Sequence, residues 1–503
     1  MLNPFRPAEH QPLLPVEEQN RRIAPLRWQI LEATFLGYTF YYFTRNNLPI
    51  VSLEAASDLT YSSAQMGLLM GATGLAYGIG KFILGALSDR SNPRAFMPAG
   101  LLLSAALNFL FGAASNFWIH LGLWTLNGFV QGAGWPPCGR SLGHWYSKSE
   151  RGTVFGFWNI AHNIGGGLIG PLAAAAASAF GWRSAFYIPG ILAVLAAVYL
   201  MIRLRDTPQS VGLRSIEAFP PMSNAKYLIA LIASVLTGNA IAGAVMYTLL
   251  PYEQLPAAVT MLNLVLIPAC FWVIGMLPGN RASPPSRLSA AIPAHDVSLE
   301  KELSLWEILW NNVLTNKIIW LFAIANLFVY VVRYSLIDWG PTYLKQAKGA
   351  SMQTGGFSTL AFEASAIVST LLIGWISDKS GGRRGMVSLI CMIPVFLAFL
   401  GMIVMPPGFL WAHIVLFGVV GFFIYPPVMV LGVAGLDFTS KKAVGAAAGF
   451  IGLLGYTGKF VEGIALGVLS KELGWPGALS FIAASCIVAI LMLAFTWKLK
   501  PAE

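Results

Sequence analysis

Ionisable side chains punctuate the long apolar runs of this sequence: Glu32, Arg45, Lys81, Arg140, His162, Arg333, Asp338, Glu363, Lys459 and Glu462. A charge at the centre of a membrane-length segment carries an insertion penalty of roughly 2.5–3.5 kcal/mol, so each such group needs a partner or a wet cavity. Arg45, in FLGYTFYYFTRNNLPIV, and Arg333, in FVYVVRYSLIDW, ask for the same kind of ligand. Two guanidinium forks facing one cavity suit a dianion, because their planar donors engage phosphate oxygens in pairs and never lose their charge. Local neutralisation is the competing account, since Asp338 is five residues from Arg333. Aromatic groups accompany the arginines: Tyr38, Tyr41 and Tyr42 near Arg45, and Trp135, Trp158, Tyr330, Tyr425 and Tyr456 elsewhere. Tyr38 and Tyr42 are four apart and share a helix face, which Arg45 nearly shares, giving one polar stripe towards a cavity.

The elements that carry these groups are membrane spans. The 503 residues are 56% hydrophobic and 11% charged, with a mean hydropathy of +0.65, which excludes an ordinary soluble domain. Apolar runs long enough to cross a bilayer fall near 28–54, 64–86, 96–116, 117–145, 153–178 and 185–204, and again near 318–346, 353–376, 385–405, 409–437, 443–470 and 476–497. Two further apolar stretches, 227–250 and 255–278, are joined by a turn with Glu253 and Pro256 and read as an added hairpin, for about fourteen spans. The expected fold is therefore an all-α polytopic membrane protein. Its parts are a tail (1–27), a six-helix bundle (28–214), a central insert (215–315), a second six-helix bundle (316–498) and a short tail (499–503). After the hairpin, the insert is Pro- and Ser-rich and then amphipathic, as a linker leading to an interfacial helix would be. The hairpin is either a docking surface for a partner or a spacer facing lipid.

The net charge of +10 follows topology rather than a nucleic-acid footprint. Arg21, Arg22, Arg27, Arg90, Arg94, Lys148, Arg151, Arg203, Arg205 and Arg214 fall in alternate connections, while the opposite side has Glu54, Asp58 and Arg183. Both termini are expected in the cytoplasm by the positive-inside rule. The first residues contain no signal-peptide core, so no cleaved signal is expected. Cys138, Cys270, Cys391 and Cys486 have no metal or redox spacing and read as packing residues. No GxSxG, HExxH or Walker A pattern is present, and Gly165, Gly166 and Gly167 lie inside a span, where they favour close helix packing. No enzyme activity, cofactor or metal is expected.

The two bundles repeat one another. Gly85 to Arg90 recurs as Gly374 to Lys379, Trp135-Pro136-Pro137 as Tyr425-Pro426-Pro427, Gly181-Trp182 as Gly474-Trp475, and Arg45 as Arg333, all at offsets of about 290 residues. GALSDRSNPR and GWISDKSGGRR resemble the loop motif of the major facilitator superfamily. RGTVFGFWNIAHNIGGG, from Arg151, resembles the RGxxxxxWNxxHN[LIV]GG pattern of the organophosphate:phosphate antiporters without a mismatch. GWPPCGR, YGIGKFILGALSDRSNP, RDTPQSVGL and RYSLIDWGPTYLK are similar to segments of glycerol-3-phosphate and hexose-phosphate transporters. The resemblance spans both halves and leaves out residues of about 215–315.

It implies a secondary transporter that exchanges an organophosphate for inorganic phosphate by alternating access, as a monomer in a bacterial inner membrane. Arg45 and Arg333 are implied to bind the phosphoryl group with His162 assisting, among Tyr38, Tyr42, Tyr330, Tyr425 and Tyr456. Lys81 and Glu363 are implied to form an ion pair between the halves that makes and breaks. Two features depart from the pattern. Asn46 stands where glycerol-3-phosphate transporters have a lysine, so the expected partner of Asp338 is missing. Lys459 and Glu462, three apart on one helix face, resemble a charged pair of hexose-phosphate relatives in reversed order, which favours a substrate larger than glycerol 3-phosphate. Relatives with this fold also act as membrane sensors of hexose phosphate, and the hairpin would suit such partner contact.

Overall fold

Proline and glycine decide where the apolar runs remain single helices. The computed structural model describes residues 5–219, 224–249, 254–275, 310–379, 383–406, 408–439 and 444–499, and contains no strand among them. The first run divides into α1 (Val16–Phe43) and α2 (Leu48–Leu59), with Arg45 in the interruption. Then follow α3 (Ser63–Asp89), α4 (Pro93–Ala113), α5 (Phe117–Gln131), α6 (Trp135–Trp145), α7 (Lys148–Trp158), α8 (Ile160–Phe180) and α9 (Ser184–Arg203). The continuous spans expected at 28–54 and 117–145 are thus each two helices. The physical reason lies in Pro49 and Pro136, each in the first turn of the second piece, where a missing N–H ends the preceding hydrogen-bond ladder. Gly132 and Gly134 precede Trp135 at the second break.

The insert contributes α10 (Asn224–Leu249) and α11 (Leu255–Gly275). The second half is α12 (Lys317–Lys348), α13 (Met352–Lys379), α14 (Arg384–Val404), α15 (Leu410–Asp437), α16 (Val444–Glu472) and α17 (Gly474–Ala494). Here the counterparts of the broken spans, α12 and α15, are continuous, even though α15 contains Pro426 and Pro427. Among the described residues, ten helices are long and apolar enough to cross a membrane.

The halves meet along α3 with α16 and α8 with α13. Gly67, Gly71, Gly74 and Gly78 face Gly463, Phe460, Lys459 and Tyr456 in turn. Beyond them, Gly80 and Gly85 face Phe129 and Pro136 of their own half. The contact is therefore tight at the end of α3 remote from the chain termini and stops towards the terminal side. Gly170 on Gly356 makes the matching close approach of α8 to α13. At the same remote face Ser52 Oγ lies 2.8 Å from Thr342 Oγ1, Gln353 Nε2 donates to Ser178 Oγ at 3.0 Å, and Glu54 pairs with Lys345.

The helices of the insert form an antiparallel pair. Asn239 and Asn263 exchange side-chain hydrogen bonds of 2.9 and 2.7 Å inside it. α11 docks on the first half, where Trp28 Nε1 donates to the Phe271 carbonyl at 2.7 Å and the Phe271 ring packs on Phe35 and Phe157. The turn with Glu253, the linker, the amphipathic segment before residue 310, and the side chains of Asp378 and Lys379 lie outside the described residues. All four cysteines are buried and free.

Candidate functional site

The interruption after α1 is what presents Arg45. A helix end leaves carbonyls without intrahelical partners, and inside a membrane these need side-chain donors. The Thr44 carbonyl accepts from Asn108 Nδ2 at 2.9 Å and Asn127 Nδ2 at 2.8 Å. Gln131 Nε2 donates to Thr44 Oγ1 at 3.0 Å, Ser104 Oγ donates to the same oxygen, and Asn47 Nδ2 reaches Asn108 Oδ1 and the Ala185 carbonyl, both at 2.8 Å. Residues from α4 and α5 thus fix the break, and Arg45 projects half-buried from it. Its guanidinium carbon lies 4.0 Å from the Tyr42 ring centroid and 4.7 Å from that of Tyr77.

Arg333 projects instead from the unbroken α12 and is 5% exposed. Its Nη2 donates to the Tyr425 hydroxyl at 2.9 Å, its guanidinium lies over the rings of Tyr425 and Tyr334, and its Nε has no partner. Among the described residues neither arginine has a carboxylate within ion-pair distance. Local neutralisation by Asp338 is therefore absent.

Rings link the two cations. Tyr42 lies 5.8 Å from the His162 ring, and His162 stacks on Tyr425 at 5.6 Å, so that Arg45, Tyr42, His162, Tyr425 and Arg333 form one contiguous series. A second series runs from Tyr77 to Tyr456 at 4.8 Å and from Tyr456 to Tyr330 at 5.3 Å. Tyr38 supports Tyr42 edge-on and stacks on Trp158 at 5.0 Å. The structure brings together Arg45, Arg333, His162, Tyr38, Tyr42, Tyr330, Tyr425 and Tyr456. It adds Tyr77 and Tyr334, which the sequence reading passed over although one is four residues from Lys81 and the other adjoins Arg333.

The charged pairs differ from expectation. Lys81 and Glu363 are not paired in this conformation. The Lys81 ammonium lies 4.9 Å over the Trp135 ring. Glu363, fully buried, accepts from the Tyr425 hydroxyl at 2.5 Å and from Asn163 Nδ2 of the other half at 2.7 Å. Lys459 and Glu462 do not pair with each other either. Lys459 Nζ lies 3.1 Å from Asp338 Oδ2 and 4.2 Å over the Tyr334 ring, so the lysine missing after Arg45 is replaced from α16. Both oxygens of Glu462 lack hydrogen-bond partners. The remaining ionisable groups within spans are neutralised nearby, Glu32 by Arg203 at 2.5 Å and Arg140 by Asp206.

Two guanidinium groups without an ion-paired carboxylate, walled by phenols and an imidazole, are chemically suited to a compact anion with several oxygens. The rings supply cation–π stabilisation without cancelling the charge that a ligand would meet.

Comparison with known proteins identifies the family. Residues 34–460 match the Major Facilitator Superfamily. The chain is 35% identical over 507 residues to the glycerol-3-phosphate transporter of Bacillus subtilis, covering 99% of this chain and 98% of that protein. It is 34% identical over 475 residues to a probable hexose phosphate transport protein of Chlamydia trachomatis, covering 94% and 91% respectively. It is also 32% identical over 479 residues to membrane sensor protein UhpC of Escherichia coli, covering 95% and 94%.

Proposed function

The chain belongs to the Major Facilitator Superfamily, among the relatives of the glycerol-3-phosphate and hexose phosphate transporters, and on that premise we propose that it exchanges an organophosphate for inorganic phosphate. This is a family of transporters and not of enzymes. The observation that carries the proposal is the pair Arg45 and Arg333, drawn from equivalent places in the two halves and left without a carboxylate. A phosphoryl group between them would receive bidentate donors from both sides. Arg333 has donors ready for it, since Nε is unpartnered and Nη2 is held only by a neutral phenol. His162 would assist from the ring series, and Lys459, freed from Asp338, would meet a polar group at the far end of a sugar phosphate.

Movement follows from the shape of the contact between the halves. Glycine seams close the face remote from the termini, while α3 leaves α16 towards the terminal face. Rocking about the ligand site would open one face as it shuts the other, with the Lys81–Glu363 pair made in only part of the cycle. Exchange rather than net flow results because two bare cations oppose closure around an empty site and an anion removes that opposition. The protein acts as a monomer of about fourteen spans in a bacterial inner membrane with both termini in the cytoplasm. The bundles occupy 28–214 and 316–498, with the hairpin and linker between them.

The test is uptake of labelled phosphate into phosphate-loaded proteoliposomes, competed by glycerol 3-phosphate, glucose 6-phosphate and 3-phosphoglycerate, with Arg333→Gln in parallel. Exchange that is lost in the variant is expected. The relative named as a membrane sensor favours a second reading, in which the protein binds hexose phosphate and signals through a partner on the hairpin. Binding through Arg333 without phosphate movement would replace the first reading with the second.

A further inference from the structure

Glu462 is the one ionisable site residue for which the exchange mechanism above has no use. It is fully buried, and neither carboxyl oxygen has a hydrogen-bond partner. A buried carboxylate without hydrogen bonds costs more than the neutral acid, which makes this position one where burial and a bound proton go together. Its position decides what that proton can do. Glu462 is one helical turn beyond Gly458, whose Cα packs on Leu327 of α12, and adjoins Gly463, which packs on Gly67 of α3. It therefore sits in the seam between α16 and α12, beside the place where the other half closes over that seam.

The charged groups around it are few. Lys459 on its own helix and Asp338 on α12 act on it electrostatically, and these two form an ion pair with one another at 3.1 Å. At this level α3 presents Gly67 and Gly71. Its titratable groups Tyr77, Lys81 and Asp89 lie further along, the first two against Tyr456 and Trp135. Tyr334 on α12 lies under Lys459. On α15, Tyr425 is engaged by Arg333 and Glu363, and His413 bonds the Phe409 carbonyl. α17 carries no charged residue, and its one thiol is Cys486.

We infer that Glu462 is a proton-binding site whose occupancy is required for α3 to close on α16, so that the remote face seals with one proton taken up. When the seam opens, water enters, the carboxyl gives its proton to that water, and the carboxylate competes with Asp338 for Lys459. On closure the proton returns from water to the carboxyl oxygen and Lys459 returns to Asp338. Lys459 is thereby drawn from its partner only while the remote face is open, which is when a ligand arrives from that side. The inference rests on the rocking motion proposed above.

Spin labels at Ser57→Cys and Ser351→Cys, both exposed at the remote face, report its opening. Distances are measured on the purified full chain between pH 5 and 9 without phosphate, since phosphate itself titrates there. In the parent protein the ratio of open to closed should rise with pH by up to tenfold per unit, the slope for one linked proton. Glu462→Gln, a neutral mimic of the protonated acid, should stay closed with no slope, and Glu462→Asp should keep one. Protonation of Glu54, which faces Lys345 at the same surface, would open the face in acid, the opposite sign. A slope in Glu462→Gln equal to that of the parent, or no slope in the parent, overturns the inference. Distances that respond to phosphate or glucose 6-phosphate but not to pH overturn it while leaving rocking intact. Distances that respond to neither overturn both.

Discussion

Gly67→Ala offers a sharp test of whether the glycine seam is a moving contact. A Cβ at residue 67 would lie 2.1 Å from the Gly463 carbonyl oxygen, 3.1 Å from its carbon and 3.2 Å from the Gly467 Cα. All three neighbours are backbone, so no rotamer change relieves the overlap, and α3 and α16 must separate by roughly 1 Å. Overpacking of this kind costs about 1–3 kcal/mol. If the open state lacks this contact, the whole cost falls on the closed state, and the ratio of open to closed rises roughly 5- to 150-fold. Gly80→Ala is the matched control: its Cβ would meet the Phe129 carbonyl oxygen, also at 2.1 Å, but within one half. That variant should lower the thermal midpoint without shifting the conformational ratio. Distances between labels at the remote face, together with thermal melts in detergent, read both quantities. The reasoning is refuted if Gly67→Ala lowers the melting temperature as Gly80→Ala does and leaves the distance distribution unchanged.

Other substitutions probe the site and its supports. Tyr425→Phe removes the hydroxyl that accepts from Arg333 and donates to Glu363, and should destabilise the ligand-free protein by about 1–3 kcal/mol in a thermal melt, the cost of a buried group left unsatisfied. Asn127→Leu strips one of the two side-chain donors from the Thr44 carbonyl and should lower both the melting temperature and phosphate affinity, since the break that presents Arg45 loosens. Lys459→Met leaves Asp338 buried and unpaired, at a cost of about 3–5 kcal/mol that Asp338→Asn in the same chain should largely restore in a thermal melt. In the hairpin, Asn239→Leu alone should destabilise by about 0.6–1.7 kcal/mol, whereas pairing it with Asn263→Leu should be nearly neutral because no polar group is then stranded.

Charge and repetition made much of the candidate site legible. Arg45 and Arg333 stand out because a guanidinium in an apolar run is costly, and their equivalent places in two repeats predict one shared cavity. Tyr38 and Tyr42 followed from their spacing to Arg45, whereas Tyr334, adjoining Arg333, was passed over. What escaped was set by groups with no charge. Asn108, Asn127, Gln131 and Ser104 are scattered over two spans and acquire meaning only when α4 and α5 converge on Thr44. Pro49 and Pro136 did carry the signal for the breaks, but the apolar runs around them read as continuous. The pairing of Lys459 was misjudged for a related reason. Helical spacing puts it beside Glu462, yet its long stem crosses Gly74 of α3 and reaches Asp338 on another helix, a choice that only tertiary packing makes.

The two arginines are held by different means, and the difference bears on how a carrier can use them. Arg333 rises from the continuous helix α12, whose interior proline, Pro341, lies further along, so its Cα moves only with the second half as a body. Arg45 sits on four residues outside any helix, from Thr44 to Asn47, whose polar groups are held by side chains of α4 and α5 and by the Ala185 carbonyl of α9. Hydrogen bonds of that kind can be exchanged one for another at little net cost, whereas unwinding a helix in lipid strands several polar groups at once. The first half can therefore adjust the reach of its guanidinium to a smaller or larger anion while the second supplies a fixed point. A site of this construction would accommodate inorganic phosphate and an organophosphate between the same two cations, as the proposed exchange on a single site requires.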